Sequence, residues 1–275
     1  MSWAAACRLH LTGPAYNIMM HRMRAVSGKL FHKIKRLTGR AIGDFNLIEE
    51  GDHIAVAVSG GKDSWTLLHM LEALRRRAPI TYRLTVINID VGFPGYRSDI
   101  IEEYLRRCGF AYRMVPTDCY GIIEKKRRPE TSFCSFCARL RRGVIYTEAQ
   151  QAGCNKVALG HHLDDFIETL LLNQFFVGTI AAMSARMLAD NGIHTVIRPL
   201  VYVEEQDIAD FAAQSRFPIV SCACPPAVRT DVQRRRMKEL LAQLQREIPG
   251  IKHSLLASLG NVQPRHLLDT ALKKA

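Results

Sequence analysis

No acidic residue precedes Asp44, whereas Arg8, Arg22, Arg24, Lys29, Lys33, Lys35, Arg36 and Arg40 are all basic. A stretch of one sign cannot neutralise itself, so it favours a polyanionic partner, and nucleic acid is the simplest one. The net charge of +12 points the same way. Also missing is any apolar run near the roughly 20 residues of a membrane span, so no membrane partner is expected. Trp3 to Cys7 is too short for a secretory signal and ends at Arg8. The acid-free, Arg-containing start fits an organelle transit peptide in charge but is poor in serine. With no secretory signal, the eight cysteines imply a reducing compartment, read here as the cytoplasm. There, paired cysteines favour metal or redox chemistry over structural disulfides. No internal repeat is found, and 275 residues suffice for one large domain with appendages.

Two common nucleotide signatures are absent. A Walker A loop needs a glycine five positions before its Gly-Lys pair, and Val56 stands there. A G-x-G-x-x-G fingerprint is lacking as well. What is present is the stretch from His53 to Ser64. His53 to Val58 is a short β-branched apolar run, which predicts a buried parallel strand. Ser59-Gly60-Gly61 turns the chain without Cβ penalty. Ser64 is the expected N-cap of a helix from Trp65 to Arg77, with Leu67, Leu68, Leu71 and Leu74 on its apolar side. Strand, glycine turn and helix N-terminus make an anion cradle, to which Lys62 adds a charge and Ser64 a hydroxyl. The string Ser59-Gly60-Gly61-Lys62-Asp63-Ser64 resembles the PP-loop of the ATP pyrophosphatases, which cut ATP between its α- and β-phosphates.

Further strands are expected at Tyr82 to Asp90, Ala111 to Val115, Lys156 to Gly160 and Val196 to Leu200. Helices are expected at Arg97 to Cys108, Leu163 to Phe176, Glu204 to Ser215 and Arg229 to Glu247. This alternation predicts an α/β fold, a parallel sheet with helices on both faces. Ligands then bind outside the carboxyl ends of the strands, where Ser59, Asp90 and His161 fall. Residues 177–194 read as irregular. The expected division is a basic helical extension over 1–43, a nucleotide domain over 44–221 and a helical segment over 222–275.

From Tyr16 to Ile42 a helical period appears, interrupted near Gly28. Leu30, Ile34, Leu37 and Ala41 form an apolar stripe. Lys29, Lys33, Arg36 and Arg40 form a basic ridge beside it. Such a ridge is either a solvated face or a contact for phosphates.

Cys134-Ser135-Phe136-Cys137 is a C-x-x-C pair between basic segments, a setting that favours thiolates. Cys222 and Cys224 form a later cluster. Four thiolates could hold zinc, the pair could be redox-active, or three thiolates could hold an iron–sulfur cluster. Asp164 and Asp165, taken alone, are explained by their place at a helix start.

The order SGGKDS, CSFCARLRRG, GHHLDD, IRPL and a late cysteine after Phe217-Pro218-Ile219 resembles the tRNA 2-thiocytidine synthetase (TtcA) family, over roughly Asp44 to Asp269. Asp44 to Asp52 and Asn261 to Leu267 also resemble it. The resemblance implies a PP-loop enzyme of the adenine nucleotide α-hydrolase type that uses ATP, Mg²⁺ and a [4Fe–4S] cluster to replace a carbonyl oxygen of cytidine 32 in tRNA with sulfur. It implies Ser59, Gly60, Gly61, Lys62, Asp63, Ser64, Asp90, Gly160 and His161 around the nucleotide. Lys62, Asp63, Asp164, Asp165 and Arg141 would be catalytic, with Asp63 and Asp165 as Mg²⁺ ligands. Arg141 and Arg142 would clamp phosphates or the adenylate. Cys134, Cys137 and Cys222 would be cluster ligands; one residue, not two, separates Cys222 from Cys224, and Pro225 follows where the family has glycine. Lys29, Lys33, Arg36 and Arg40 would meet tRNA. A sulfur donor such as a cysteine desulfurase is implied, and a homodimer is left open. The alternatives are a PP-loop thiolase for another tRNA base, a PP-loop ligase and a zinc-binding RNA module.

Overall fold

The structure, a computed structural model, describes residues 14–126, 133–220 and 232–270. Cys7, Cys222 and Cys224 lie outside them. The described residues fall into two compact units. The first runs to His162 and resumes from Ala185 to Val220; the second takes Leu163–Ser184 and the residues from Val232 onward. The expected boundaries at 43/44 and 221/222 do not coincide with this division.

In the first unit the chain forms α1 (Pro14–Asp44), β1 (His53–Ala57), α2 (Lys62–Arg75), β2 (Arg83–Asp90), α3 (Ser98–Cys108), β3 (Tyr112–Pro116), α4 (Cys119–Lys126), α5 (Phe133–Gln151) and β4 (Lys156–Ala158). After the excursion into the second unit come β5 (Arg186–Leu188), β6 (Thr195–Ile197) and α7 (Glu205–Ser215). The sheet order is β3-β2-β1-β4-β6-β5. All pairs are parallel except β5 with β6. The direction of winding reverses between β1 and β4, so the crevice for a ligand opens beyond their carboxyl ends. β5 lies in the stretch read as irregular. Its three residues are too few to show a period and all are exposed.

β1 alternates its side chains between two layers. Ala55 joins the apolar cluster of Ile87, Val157, Phe133, Cys137 and Ala149, which seats α5. Ile54 and Val56, both fully buried, take the opposite face, where α2 packs. α1 and α7 close over α2 on that side. α1 is continuous through Gly28, correcting the expected break; one interior glycine costs about 1 kcal/mol, which a docked helix absorbs. Its buried stripe is Phe31, Ile34, Thr38 and Ala41 rather than one centred on Leu30 and Leu37. The 44–52 run has a structural role: Asp52 forms a buried 2.7 Å ion pair with Lys156 and also accepts a hydrogen bond from Asn155, tying β1 to β4 at their amino ends.

The second unit contains α6 (Leu163–Leu172), which passes into a π-turn at Asn173–Val177, then α8 (Val232–Glu247) and α9 (Ile251–Ser258). Leu163, Ile167 and Leu171 pack with Met237 and Leu241. No helix among the described residues is long and apolar enough to cross a membrane.

Candidate active site

The PP-loop joins β1 to α2. Helix α2 starts at Lys62 with Gly61 as its extended N-cap, at φ −77° and ψ 159°. Ser64, expected at the cap, is inside the first turn. Its hydroxyl turns inward, donating to the Gly61 carbonyl at 2.8 Å and accepting from the Ser59 amide at 3.2 Å.

Every loop carbonyl is tied back. The Val58 carbonyl accepts from Asn88 Nδ2 at 2.7 Å. That of Ser59 accepts from the Tyr96 hydroxyl at 3.2 Å. Gly60 accepts from the Val220 amide at 3.0 Å, and Gly61 accepts also from the Trp65 amide at 3.2 Å. Across each planar peptide the N–H points opposite to the C=O. The Ser59 amide is used by Ser64 Oγ and the Gly61 amide reaches Ser59 Oγ at 3.4 Å. Holding the Ser59 and Gly61 carbonyls outward therefore leaves the Gly60 and Lys62 amides for an anion in the concavity at the helix N-terminus.

Two glycines are required here. Gly60 has φ +84°, and a Cβ on it would meet Ile101 Cδ1 at 2.8 Å and Val220 Cβ at 3.0 Å. Gly160, beyond β4, lies against the backbone of α2's first turn; a Cβ there would meet Asp63 C at 3.1 Å. Thus β4's carboxyl end abuts the cradle, as the sheet order requires.

Lys62 Nζ lies 2.9 Å from Asp63 Oδ1 and 3.2 Å from Glu205 Oε1. Burial opposes its charge, but the two carboxylates outweigh burial and hold the ammonium above its ordinary pKa. Glu205, from the start of α7, went unseen in the sequence because no motif marks it. His162 Nε2 lies 3.8 Å from Asp63 Oδ1. His161 Nδ1 accepts from Arg198 Nε at 3.1 Å, so the Arg of the IRPL motif orients the first histidine. Asp90 ends β2, but its oxygens accept from the Gly92 amide at 2.9 Å and the Ser98 hydroxyl at 3.2 Å, which fixes the approach to α3.

Cys134 and Cys137 occupy the first turn of α5, a helix the sequence reading did not assign. Cys137 is 5% exposed and Cys134 half-buried. Burial pushes the Cys137 thiol up, and the neighbouring Cys119 and Cys134 add to this against the pull of Arg141. The expected depression of its pKa is therefore not found, since desolvation exceeds the cationic neighbour. Arg141 also bears on Tyr96, whose hydroxyl burial chiefly raises and Arg141 lowers. One guanidinium thus acts on both the C-x-x-C helix and the residue that holds the Ser59 carbonyl.

Asp164 and Asp165 lie in the second unit, in the first turn of α6. Asp164 Oδ1 pairs with Lys252 Nζ at 2.6 Å, and Asp165 Oδ1 with Arg234 Nη1 at 3.5 Å. Lys29, Lys33, Arg36 and Arg40 are all exposed on one face of α1. Lys33 pairs with Asp207 at 2.7 Å, and Arg40 pairs with Asp44 at 3.1 Å and lies 4.8 Å above the Tyr202 ring. No three of the described His, Cys, Asp and Glu residues converge to hold a metal.

Comparisons with known proteins agree with this architecture. A PP-loop domain family matches residues 30–223. The tRNA-cytidine(32) 2-sulfurtransferase of Syntrophotalea carbinolica is 66% identical over 251 residues, covering 91% of this chain and 97% of that protein. That of Geobacter metallireducens is 64% identical over 252 residues, covering 92% and 98%. Among solved structures, the U34-tRNA thiolase NcsA from Methanococcus maripaludis, which carries a [4Fe–4S] cluster, has a similar fold at TM-score 0.68 and 21% identity, over 84% of this chain and 78% of its own. With its PP-loop, its C-x-x-C helix and relatives matched over nearly their whole length, the chain belongs to the tRNA-cytidine 2-sulfurtransferase (TtcA) family of PP-loop proteins.

Proposed function

We propose that the protein thiolates cytidine 32 of tRNA at the expense of ATP. The observation that carries this is the set of tied-back carbonyls at the amino end of α2, with Arg141 of the C-x-x-C helix close enough to act electrostatically on Tyr96, which holds one of them. ATP lies with its phosphates on the loop amides. The cytidine O2 attacks the α-phosphorus, the α–β bridging bond breaks, and pyrophosphate leaves. Lys62 swings from Asp63 and Glu205 to the departing phosphates and offsets their charge. Asp63, a third exposed, is the carboxylate of the first unit that suits Mg²⁺, a hard ion that prefers carboxylate and phosphate oxygens. A sulfide equivalent then adds at C2, and AMP departs with the former carbonyl oxygen. Reaching C2 requires an unstacked base, which suits a loop nucleotide.

The thiols fit an iron–sulfur cluster. Cys134 and Cys137 are three residues apart on one helix turn, flanked by apolar Phe133 and by Arg141, and thiolate is the donor such clusters take. Cys222 is the proposed third ligand, two residues beyond Val220. When bound, the cluster would supply the sulfur-delivering chemistry. A cysteine desulfurase is the proposed sulfur source. The cytoplasm is the proposed setting, a reducing compartment in which Cys119, Cys134, Cys137 and Cys154 stay as thiols. The proposed assembly is a homodimer, for which exposed Phe175, Phe176, Val177 and Ile180 offer apolar surface.

The test is product analysis with purified tRNA. AMP, pyrophosphate and 2-thiocytidine are expected in equal amounts; ADP and phosphate as products would overturn the reading.

The α1 ridge is proposed to meet tRNA phosphates. Lys29 and Arg36 are the informative pair, because replacing them leaves the Asp207 and Asp44 ion pairs intact. Lys29→Glu/Arg36→Glu is expected to weaken tRNA binding at least tenfold at low salt. It should also lower the slope of log affinity against log salt by about 1 to 2, since each lost phosphate contact removes somewhat less than one unit. Affinity within twofold of wild type would reduce the ridge to a solvated face.

A further inference from the structure

We infer that Tyr96, backed by Asn88, is the positioning residue that fixes which way the PP-loop amides face. This rests on the reading of the loop as the ATP site. Asn88 is fully buried at the carboxyl half of β2. Its amide nitrogen donates twice, to the Val58 carbonyl at 2.7 Å and to the Tyr96 hydroxyl oxygen at 2.9 Å. Its own Oδ1 is buried with no hydrogen-bond partner among the described residues. The amide is thus oriented by what it donates. Because Tyr96 Oη accepts from Asn88, its single hydrogen is directed at the other neighbour, the Ser59 carbonyl at 3.2 Å.

That hydrogen bond decides the orientation of one peptide plane. The Ser59 carbonyl and the Gly60 amide share it, and they point in opposite directions. With the carbonyl held by Tyr96, the Gly60 N–H faces the concavity. Gly60 sits at φ +84°, a conformation only glycine adopts without strain. The same freedom leaves the plane between Ser59 and Gly60 able to rotate, which would aim a carbonyl at the phosphates. Glycine permits both orientations, and the Tyr96 hydroxyl selects one of them. The turn that delivers Tyr96 is itself closed, with its amide donating to the Phe93 carbonyl at 3.1 Å. Arg141 and Asp90 are the charged groups whose fields reach the hydroxyl.

The experiment is calorimetric titration of a non-hydrolysable ATP analogue into the full chain as wild type, Tyr96→Phe, Asn88→Ala and the double variant. Iron content and tRNA affinity are measured on the same samples. Tyr96→Phe keeps the ring and removes only the hydroxyl. It is expected to weaken the analogue about tenfold and to raise the KM for ATP similarly. The kcat at saturating ATP, iron content and tRNA affinity should stay within about twofold. Because part of the effect of Asn88 runs through the same hydroxyl, the rest through its own bond to the Val58 carbonyl, the double variant should lose less than the product of the two single losses. Analogue affinity within twofold of wild type in Tyr96→Phe would overturn the inference. So would a loss spread equally over tRNA and iron, since that marks a structural role. A wild type that does not bind the analogue would instead remove the nucleotide reading on which the inference stands.

Discussion

Lys62→Ala is expected to lower thiolation by at least about a hundredfold, the scale of removing one preorganised charge aimed at a developing anion. The side chain is 29% exposed and anchors no apolar cluster, so its loss does not threaten the fold. It leaves Asp63 and Glu205 facing the loop without their shared cation, and both then repel the phosphates. The defect should therefore fall on pyrophosphate release as well as on ATP affinity, and excess ATP should not restore it. Iron content should match the wild type, because the cysteines lie on other elements. Glu205→Gln is the companion variant. It relieves the restraint on Lys62 while keeping the ammonium, and should retain most activity. Initial rates of AMP, pyrophosphate and 2-thiocytidine formation, with iron measured on the same protein, check this. Lys62→Ala within fivefold of wild type would mean that the amides alone carry the phosphates.

Cys134→Ala and Cys137→Ala should each abolish thiolation and bleach protein purified without oxygen, which should otherwise be brown with about four irons per chain for a [4Fe–4S] centre. Cys137 is buried among Phe133, Ile123 and Ala149, so alanine there costs little packing and folding should persist. Cys119→Ala is the internal control. Cys119 lies in the same buried cluster and adds to the field that keeps the Cys137 thiol protonated, yet it stands outside the C-x-x-C motif. It should keep colour and activity. Stoichiometric zinc without labile sulfide would return the cysteines to a structural role. Of Cys222 and Cys224, only the first should bleach the protein when replaced.

Much of the fold was legible because its signals are local. β1, β2 and α3 follow from β-branched runs and apolar periods, and the PP-loop from an unbroken string. Helix α5 escaped because Arg139, Arg141 and Arg142 break its apolar pattern and Gly143 sits in mid-helix. Its burial comes from residues such as Cys137 and Ala149, which are small and spaced too widely to show a period. The start of α2 was placed late because its apolar residues begin at Trp65, whereas the backbone turns helical at Lys62. The site was legible only where a motif runs along the chain. Asn88, Tyr96, Glu205 and Arg198 reach it from four separate segments, and single residues brought together by topology leave no pattern to read. Nor could sequence show that Asp90 is occupied with its own loop.

The placement of β1 between β2 and β4 has a consequence for synthesis. Ile54 to Ala57 pair with Leu84 to Ile87 soon after they are made, but their other edge waits for Lys156 to Ala158. At roughly 5–20 residues per second the ribosome needs about 5–20 s to deliver that second neighbour. Until then the apolar edge of β1 stays unpaired, and such an edge recruits other strands. Gly160, which closes against α2, arrives later still. The nascent chain thus carries a completed glycine turn that has no opposite wall, and a pause in translation between Asp90 and Lys156 prolongs the interval in which β1 is open to pairing with a strand from another chain.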